Sequence, residues 1–166
     1  GRRDLLNERR RSHVRLLVDG EVVIIRDQVR LHAGNMRLDS DWDLSQYVRH
    51  INNRVFFWPG ATRGPISYGV RHFRRYSSEA PVIVRVTFDG MLAANPCAKP
   101  FFCRYNSGSP RWSRGVPSPR GEATFVSAAE ASFWPAQVVE VTFLDGVDLG
   151  EDAEWGEHLV GPWKLL

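Results

Sequence analysis

Val14-Arg15-Leu16-Leu17-Val18, then Asp19-Gly20, then Glu21-Val22-Val23-Ile24-Ile25 is the stretch that sets the class of the fold. Both flanking runs are rich in β-branched and aliphatic residues. Asp-Gly accepts the positive φ angles of a type I′ turn, so the stretch predicts a two-stranded hairpin. Downstream the period changes. Leu44, Tyr47, Val48 and Ile51 recur at the spacing of one helical face, which predicts a helix over residues 41–52 capped by Ser40 or Asp41. Val55-Phe56-Phe57-Trp58 reads as a buried strand stopped by Pro59-Gly60. A second helix is expected from near Pro65, with Ile66, Gly69, Val70 and Phe73 facing inward.

Three more strands follow: residues 82–88, which alternate polar and apolar, residues 101–105, and residues 138–144. Residues 106–121, rich in Ser, Pro, Gly and Arg, read as a long loop, and loops of that length are functional or mobile. Upstream of the hairpin, residues 1–12 form a basic arm, either helical or flexible. There is no internal repeat and no regular βαβ rhythm, so the expectation is one α+β domain over residues 1–166, built of short strands and a few short helices. The chain opens on Gly1 rather than Met, which leaves an upstream element open.

Composition narrows the class. With 43% apolar and 25% charged residues, the chain has ordinary globular make-up. No apolar run is long enough for a transmembrane helix, and no signal peptide is read. Cys97 and Cys103 are too few for a disulfide scaffold, and the five histidines lack ligand spacing, so no metal site is expected. The expectation is a cytoplasmic monomer. Charge is unevenly spread: six acids and no bases lie between Asp145 and Glu157, while residues 1–144 hold 21 bases and 13 acids. A body of net +8 suits an anionic ligand such as a nucleotide or nucleic acid, although twenty arginines against two lysines also fits codon bias.

Several side chains can carry chemistry. Glu140 sits mid-strand among apolar neighbours, on the face of Val138, Thr142 and Leu144. It is either a carboxylate facing a cleft or an exposed or ion-paired strand residue. Arg63, in a Gly/Pro loop beyond a strand end, is either a phosphate grip or a solvated arginine. Arg26 and Gln28 project to one side of Asp27. Asn106-Ser107-Gly108 is a polar turn, able to present donors or to be a turn and no more. Arg111, Trp112 and Arg114 interleave bases and an aromatic, a pattern that stacks a nucleobase or simply folds Trp112 onto the core. Arg71, Arg74 and Arg75 form a basic helix face.

In this order, Ile25-Arg26-Asp27-Gln28, Asn53-Arg54-Val55-Phe56-Phe57-Trp58, Asn106-Ser107-Gly108, Arg120-Gly121-Glu122-Ala123-Thr124-Phe125 and Val139-Glu140-Val141 resemble an uncharacterised bacterial family of unknown function over most of residues 15–145. That family is in turn similar to the DarT-like ADP-ribosyltransferases, NAD-consuming toxins that modify nucleic-acid bases. The second likeness rests on Phe56 through Tyr68, on Asn106-Ser107-Gly108, and on Val138 through Val141.

The resemblance implies an ADP-ribosyltransferase-like split β-sheet core, with NAD as substrate. It implies Glu140 and Arg63 as catalytic residues, and Arg26, Gln28, Asn106 and Tyr68 as NAD contacts. A DNA or RNA acceptor would be met by Arg111, Trp112, Arg114, Arg71, Arg74 and Arg75, and an antitoxin partner would fit such a setting. A protein acceptor is a further variant, and a non-catalytic nucleic-acid- or protein-binding module is the alternative. One departure stands out. DarT-like enzymes begin with a strand bearing a His and a Thr, followed by an Asn, all helping to bind NAD. This chain has no such element at its start, so it lies upstream, His32 substitutes, or NAD is not bound.

Overall fold

A computed structural model describes the chain apart from Gly1, Thr62, Arg63, Arg111 and Arg114, together with the side chains of Arg2, Arg3, Asp4 and Ser113. It is a mixed α+β structure with four helices and several small sheets among the described residues. The chain falls into two compact units: Gly1–Asn53 with Asn106–Thr124, and Arg54–Tyr105 with Phe125–Leu166. Elements are numbered along the whole chain.

In the first unit, α1 (Arg2–Asn7) precedes the hairpin β1 (Val14–Val18) and β2 (Glu21–Ile25). The ladder closes at Val18↔Glu21, leaving Asp19 at φ 52° and Gly20 at φ 87° in the turn. This is the backbone that Asp-Gly favours. Helix α2 (Leu44–Asn52) buries Tyr47, Val48 and Ile51, the expected stripe. Its cap is Asp43 rather than Ser40 or Asp41. The Asp43 carboxylate accepts from the Gln46 N–H at 2.7 Å, and the Gln46 side chain accepts from the Asp43 N–H at 2.6 Å. That reciprocal capping box outcompetes the earlier candidates.

The N-terminal segment is tied down. Asn52 Nδ2 donates to the Leu5 and Leu6 carbonyls at 3.1 Å each, and Ser45 Oγ donates to the Asn7 carbonyl at 2.8 Å. Arg9 and Arg10 spend their guanidinium groups on backbone, at the carbonyls of Leu31 (2.9 Å), Arg26 (2.8 Å) and Leu5 (3.2 Å). Burial lowers the Arg10 pKa while Asp27 pulls it the other way.

Residues 106–121 are not a plain loop. They contain β9 (Trp112–Ser113), β10 (Val116–Pro117) and β11 (Pro119–Arg120). Strands β9 and β10 pair with each other, and β11 pairs in parallel with β3 (Arg37–Leu38). Arg120 is 1% exposed and acts as the internal strut. Its guanidinium donates to the carbonyls of Ser118 (3.1 Å), Pro119 (3.2 Å) and Ser109 (3.0 Å). Tyr47, fully buried, donates its hydroxyl to the Ser107 carbonyl at 3.1 Å. Such closures are long-range, so local composition does not announce them.

In the second unit the largest sheet has four strands in the order β12 (Val126–Ser127), β8 (Phe101–Cys103), β13 (Glu140–Leu144), β4 (Arg54–Phe57). All its pairings are antiparallel. Beyond Pro59 the chain makes a small ladder of β5 (Gly60–Ala61) and β6 (Gly64–Pro65), then α3 (Ser67–Arg75). Helix α3 packs so tightly that a Cβ on Gly69 would stand 3.0 Å from that of Trp58.

The expected strand over residues 82–88 is shorter and is followed by a helix. β7 (Ile83–Arg85) ends early, and Thr87 caps α4 (Phe88–Ala94) by accepting from the Gly90 N–H at 3.0 Å. A threonine with Asp89 behind it is a helix start, which outweighs the apolar alternation before it. Strand β7 joins β14 (Glu154–Gly156) and β15 (Lys164–Leu165) in a second sheet. The acidic stretch leading to β14 is clipped to α4. Asn95 donates to the Asp148 carbonyl at 2.7 Å and accepts from its N–H at 2.8 Å, and the Thr87 hydroxyl donates to the Asp152 carboxylate.

Candidate functional site

The register of the four-stranded sheet sorts its side chains into two faces. Pairing Val141↔Phe57, Phe143↔Val55 and Val141↔Phe102 puts these residues on one apolar face. There Phe143, fully buried, meets Phe57 edge-on at 6.1 Å between ring centres. The opposite face carries Glu140, Thr142 and Leu144 from β13, Arg54 and Phe56 from β4, and Phe101 and Cys103 from β8. Phe125, just before β12, closes it against Phe56 at 6.0 Å between ring centres.

That second face is chemically unusual for a sheet interior. Glu140 is 3% exposed and opens a central strand, directly opposite Cys103, itself 1% exposed. Thr142, two residues on, is fully buried. The half-buried Arg54 lays its guanidinium 4.2 Å from the Phe125 ring centre and 4.6 Å from that of Phe101, and Nη1 donates to Thr142 Oγ1 at 3.3 Å. Carboxylate, hydroxyl, thiol and guanidinium thus share one aromatic-lined face. An arginine stacked on rings keeps its charge while shedding water, which strengthens its field on neighbouring groups.

The Glu140 carboxylate is buried, which removes the exposed-strand reading of it. Arg63 lies outside the described residues, as do Arg111 and Arg114. Tyr68 stacks on Trp58 with ring centres 6.1 Å apart and planes 15° apart, and Arg71 sits over it at 4.6 Å. Arg71, Arg74 and Arg75 are all exposed on α3. Those residues and Glu140 belong to the second unit.

Arg26, Gln28, Asn106 and Trp112 belong to the first unit. There Gln28 is engaged in structure: Nε2 donates to Asn52 Oδ1 at 2.9 Å and Oε1 accepts from the Arg10 N–H at 3.3 Å. Arg26 accepts from Arg10 through its carbonyl. Asn106 closes a turn by accepting from the Ser109 N–H at 3.3 Å. Trp112 is 56% exposed, so it is not folded onto the core. His32 is exposed, and its N–H donates to Asn35 Oδ1 at 3.3 Å.

Sequence reasoning missed Arg54. Within the Asn53–Trp58 stretch the sequence gives it no evident role. The available signal was the period-two rule, since Arg54 and Phe56 alternate with Val55 and Phe57 at the start of a strand otherwise apolar. Among the described residues no three His, Cys, Asp or Glu side chains gather as a metal-holding group, and no helix is long and apolar enough to cross a membrane.

Fold and site together define an α+β protein whose largest sheet holds a buried carboxylate on the same face as an arginine clasped by phenylalanine rings. The chain belongs to a family described as being of unknown function (DUF7002), which matches residues 1–151. No curated protein and no solved structure matches it.

Proposed function

We propose that this chain is an ADP-ribosyltransferase-like enzyme that transfers ADP-ribose from NAD to an acceptor, a nucleic-acid base in a toxin or defence setting, with Glu140 as its catalytic carboxylate. The observation that carries the reading is Glu140 itself, 3% exposed at the first position of a central strand. A buried carboxylate needs compensation from the groups around it, and sites that need a perturbed acid are where such burial recurs. Register adds support. Val141 pairs with Phe57, so Glu140 lies at the end of the sheet where β4 runs out through Trp58 and Pro59, and Arg63 follows Pro59 by four residues in the sequence.

The chemistry asks for little more. The bond between nicotinamide nitrogen and ribose C1′ breaks, its electron pair leaves with nicotinamide, and positive charge builds on the ribose. A carboxylate held beside the ring accepts a hydrogen bond from a ribose hydroxyl and offsets that charge. The acceptor nucleophile then forms its bond to C1′ and gives up its proton. Arg63 would grip the pyrophosphate and fix the ribose for attack. Tyr68, in the same unit as Glu140, would contribute an NAD contact.

A second reading is favoured by one observation: Arg71, Arg74 and Arg75 are exposed together on α3, next to the stacked pair Trp58 and Tyr68. A basic face beside aromatic rings suits a non-catalytic module that holds nucleic acid. Calorimetry with NAD, nicotinamide release, and oligonucleotide binding separate the two. Nicotinamide release that needs Glu140 and Arg63 supports the enzyme. Oligonucleotide binding lost in the triple variant Arg71→Ala, Arg74→Ala, Arg75→Ala, with no NAD turnover, supports the module.

A further inference from the structure

We infer that Trp134 is the base-stacking residue of the acceptor site: its indole, presented by a braced turn at the Glu140 end of the large sheet, takes the flat face of an unpaired nucleobase in the acceptor strand. The inference rests on the transferase reading for what that base does there, but the contact itself is testable without turnover. Three features converge on it.

The first is exposure. Trp134 is 79% exposed, whereas tryptophan is a side chain that folding usually covers well. An indole left in water is a ready stacking surface, and every nucleobase has the π face that fits it.

The second is rigidity. Trp134 caps the 3₁₀ turn Pro135–Gln137. Its N–H donates to Gln137 Oε1 at 3.1 Å, its carbonyl accepts from the Gln137 N–H at 2.8 Å, and the Val138 N–H donates to the Pro135 carbonyl at 3.0 Å. The backbone under the indole is therefore ordered before any ligand arrives, which lowers the entropy cost of binding.

The third is placement. Both sides of the turn are fastened to the part of β8 that meets Glu140. The Val139 N–H donates to the Cys103 carbonyl at 2.8 Å, and Cys103 is the residue directly opposite Glu140. On the other side Phe133, next to Trp134, has its ring centre 5.5 Å from the guanidinium carbon of Arg104. From Trp134 to Glu140 the chain runs through one 3₁₀ turn and two extended steps, a reach of roughly 15 Å at most. Exposed Arg104 brings a positive charge to the same turn, and residues 131–139 contain no acid, a balance that suits a ligand carrying phosphates.

The test is fluorescence anisotropy with a labelled single strand of mixed sequence, about ten nucleotides long, and with an abasic strand of the same length. Trp134→Leu and Trp134→Ser both remove the flat ring, and each should weaken binding of the base-bearing strand about tenfold. Trp134→Tyr keeps a ring and should stay within about threefold of wild type. Binding of the abasic strand should not change in any variant, because the loss belongs to the bases. All three should melt with wild type, since the side chain is exposed.

Equal affinity of wild type and the ringless variants for the base-bearing strand overturns the inference. So does an equal loss on both strands, or no binding by wild type. Ringless variants that lose NAD affinity in calorimetry while holding the strand put the indole against NAD and overturn it as well. The transferase reading fails separately: binding of the strand that needs Trp134, by a protein that releases no nicotinamide, keeps the stacking contact and removes the reaction.

Discussion

Replacing Gly121 by alanine probes how the first unit is closed. A Cβ at this position would stand 2.7 Å from Asp39 Cγ and 3.0 Å from Asp39 Cβ, closer than carbon atoms pack. Asp39 cannot retreat with its backbone. Its N–H donates to the Arg120 carbonyl at 2.9 Å, and its carbonyl accepts from the Trp42 N–H at 3.0 Å. Gly121 is held as well, donating to Thr124 Oγ1 at 3.0 Å. Forcing a methyl into a tight site costs roughly 1–3 kcal/mol, and driving Asp39 off its rotamer adds about 0.5–1.5 kcal/mol. The smaller entropy of the unfolded alanine chain returns about 0.4–1 kcal/mol.

The net loss is therefore about 2 kcal/mol, which in a chain of 166 residues lowers Tm by roughly 4–8 °C. Urea denaturation of wild type, Gly121→Ala, Asp39→Ala and the double variant measures it. In the Asp39→Ala background the cost should fall to about 1 kcal/mol or less, a coupling expected of residues in contact. A Gly121→Ala protein within about 0.5 kcal/mol of wild type would refute the packing argument, as would an equal cost in both backgrounds.

Two further perturbations address the second unit. Phe143→Ala removes a fully buried ring from the apolar face of the large sheet, and denaturation should show a loss of roughly 3–5 kcal/mol. Asn95→Ala breaks the two hydrogen bonds that hold Asp148 to α4, for about 1–2 kcal/mol, and limited proteolysis should cut residues 145–153 faster than in wild type.

Local signals in the sequence located what local physics controls. Asp19-Gly20 marked the hairpin to the residue, and the stripe Leu44, Tyr47, Val48, Ile51 marked α2. The runs around Phe56 and Val141 were recognisable as strands because both are dense in β-formers, and they turn out to be partners. What stayed hidden depends on distant chain. Val86, Thr87 and Phe88 continue an alternating pattern, so the helix that Thr87 caps was absorbed into the strand. Pro119-Arg120 looks like loop until β3 arrives to pair with it.

At the candidate site, Glu140 was legible as a polar break in an apolar strand. Arg54 was not, because its meaning comes from the register that lays it across Thr142, Phe101 and Phe125. Gln28 reads as a candidate ligand contact in sequence and is a brace between Arg10 and Asn52 in the fold.

The measurement closest to the central claim is nicotinamide release from NAD by wild type and Glu140→Gln, with binding of NAD followed by calorimetry on the same samples. The account predicts that both bind NAD with similar affinity, and that Glu140→Gln loses about 10²-fold or more in turnover, as for other charge-stabilising groups. Equal turnover by the two proteins, or no NAD binding by a folded wild type, would contradict it.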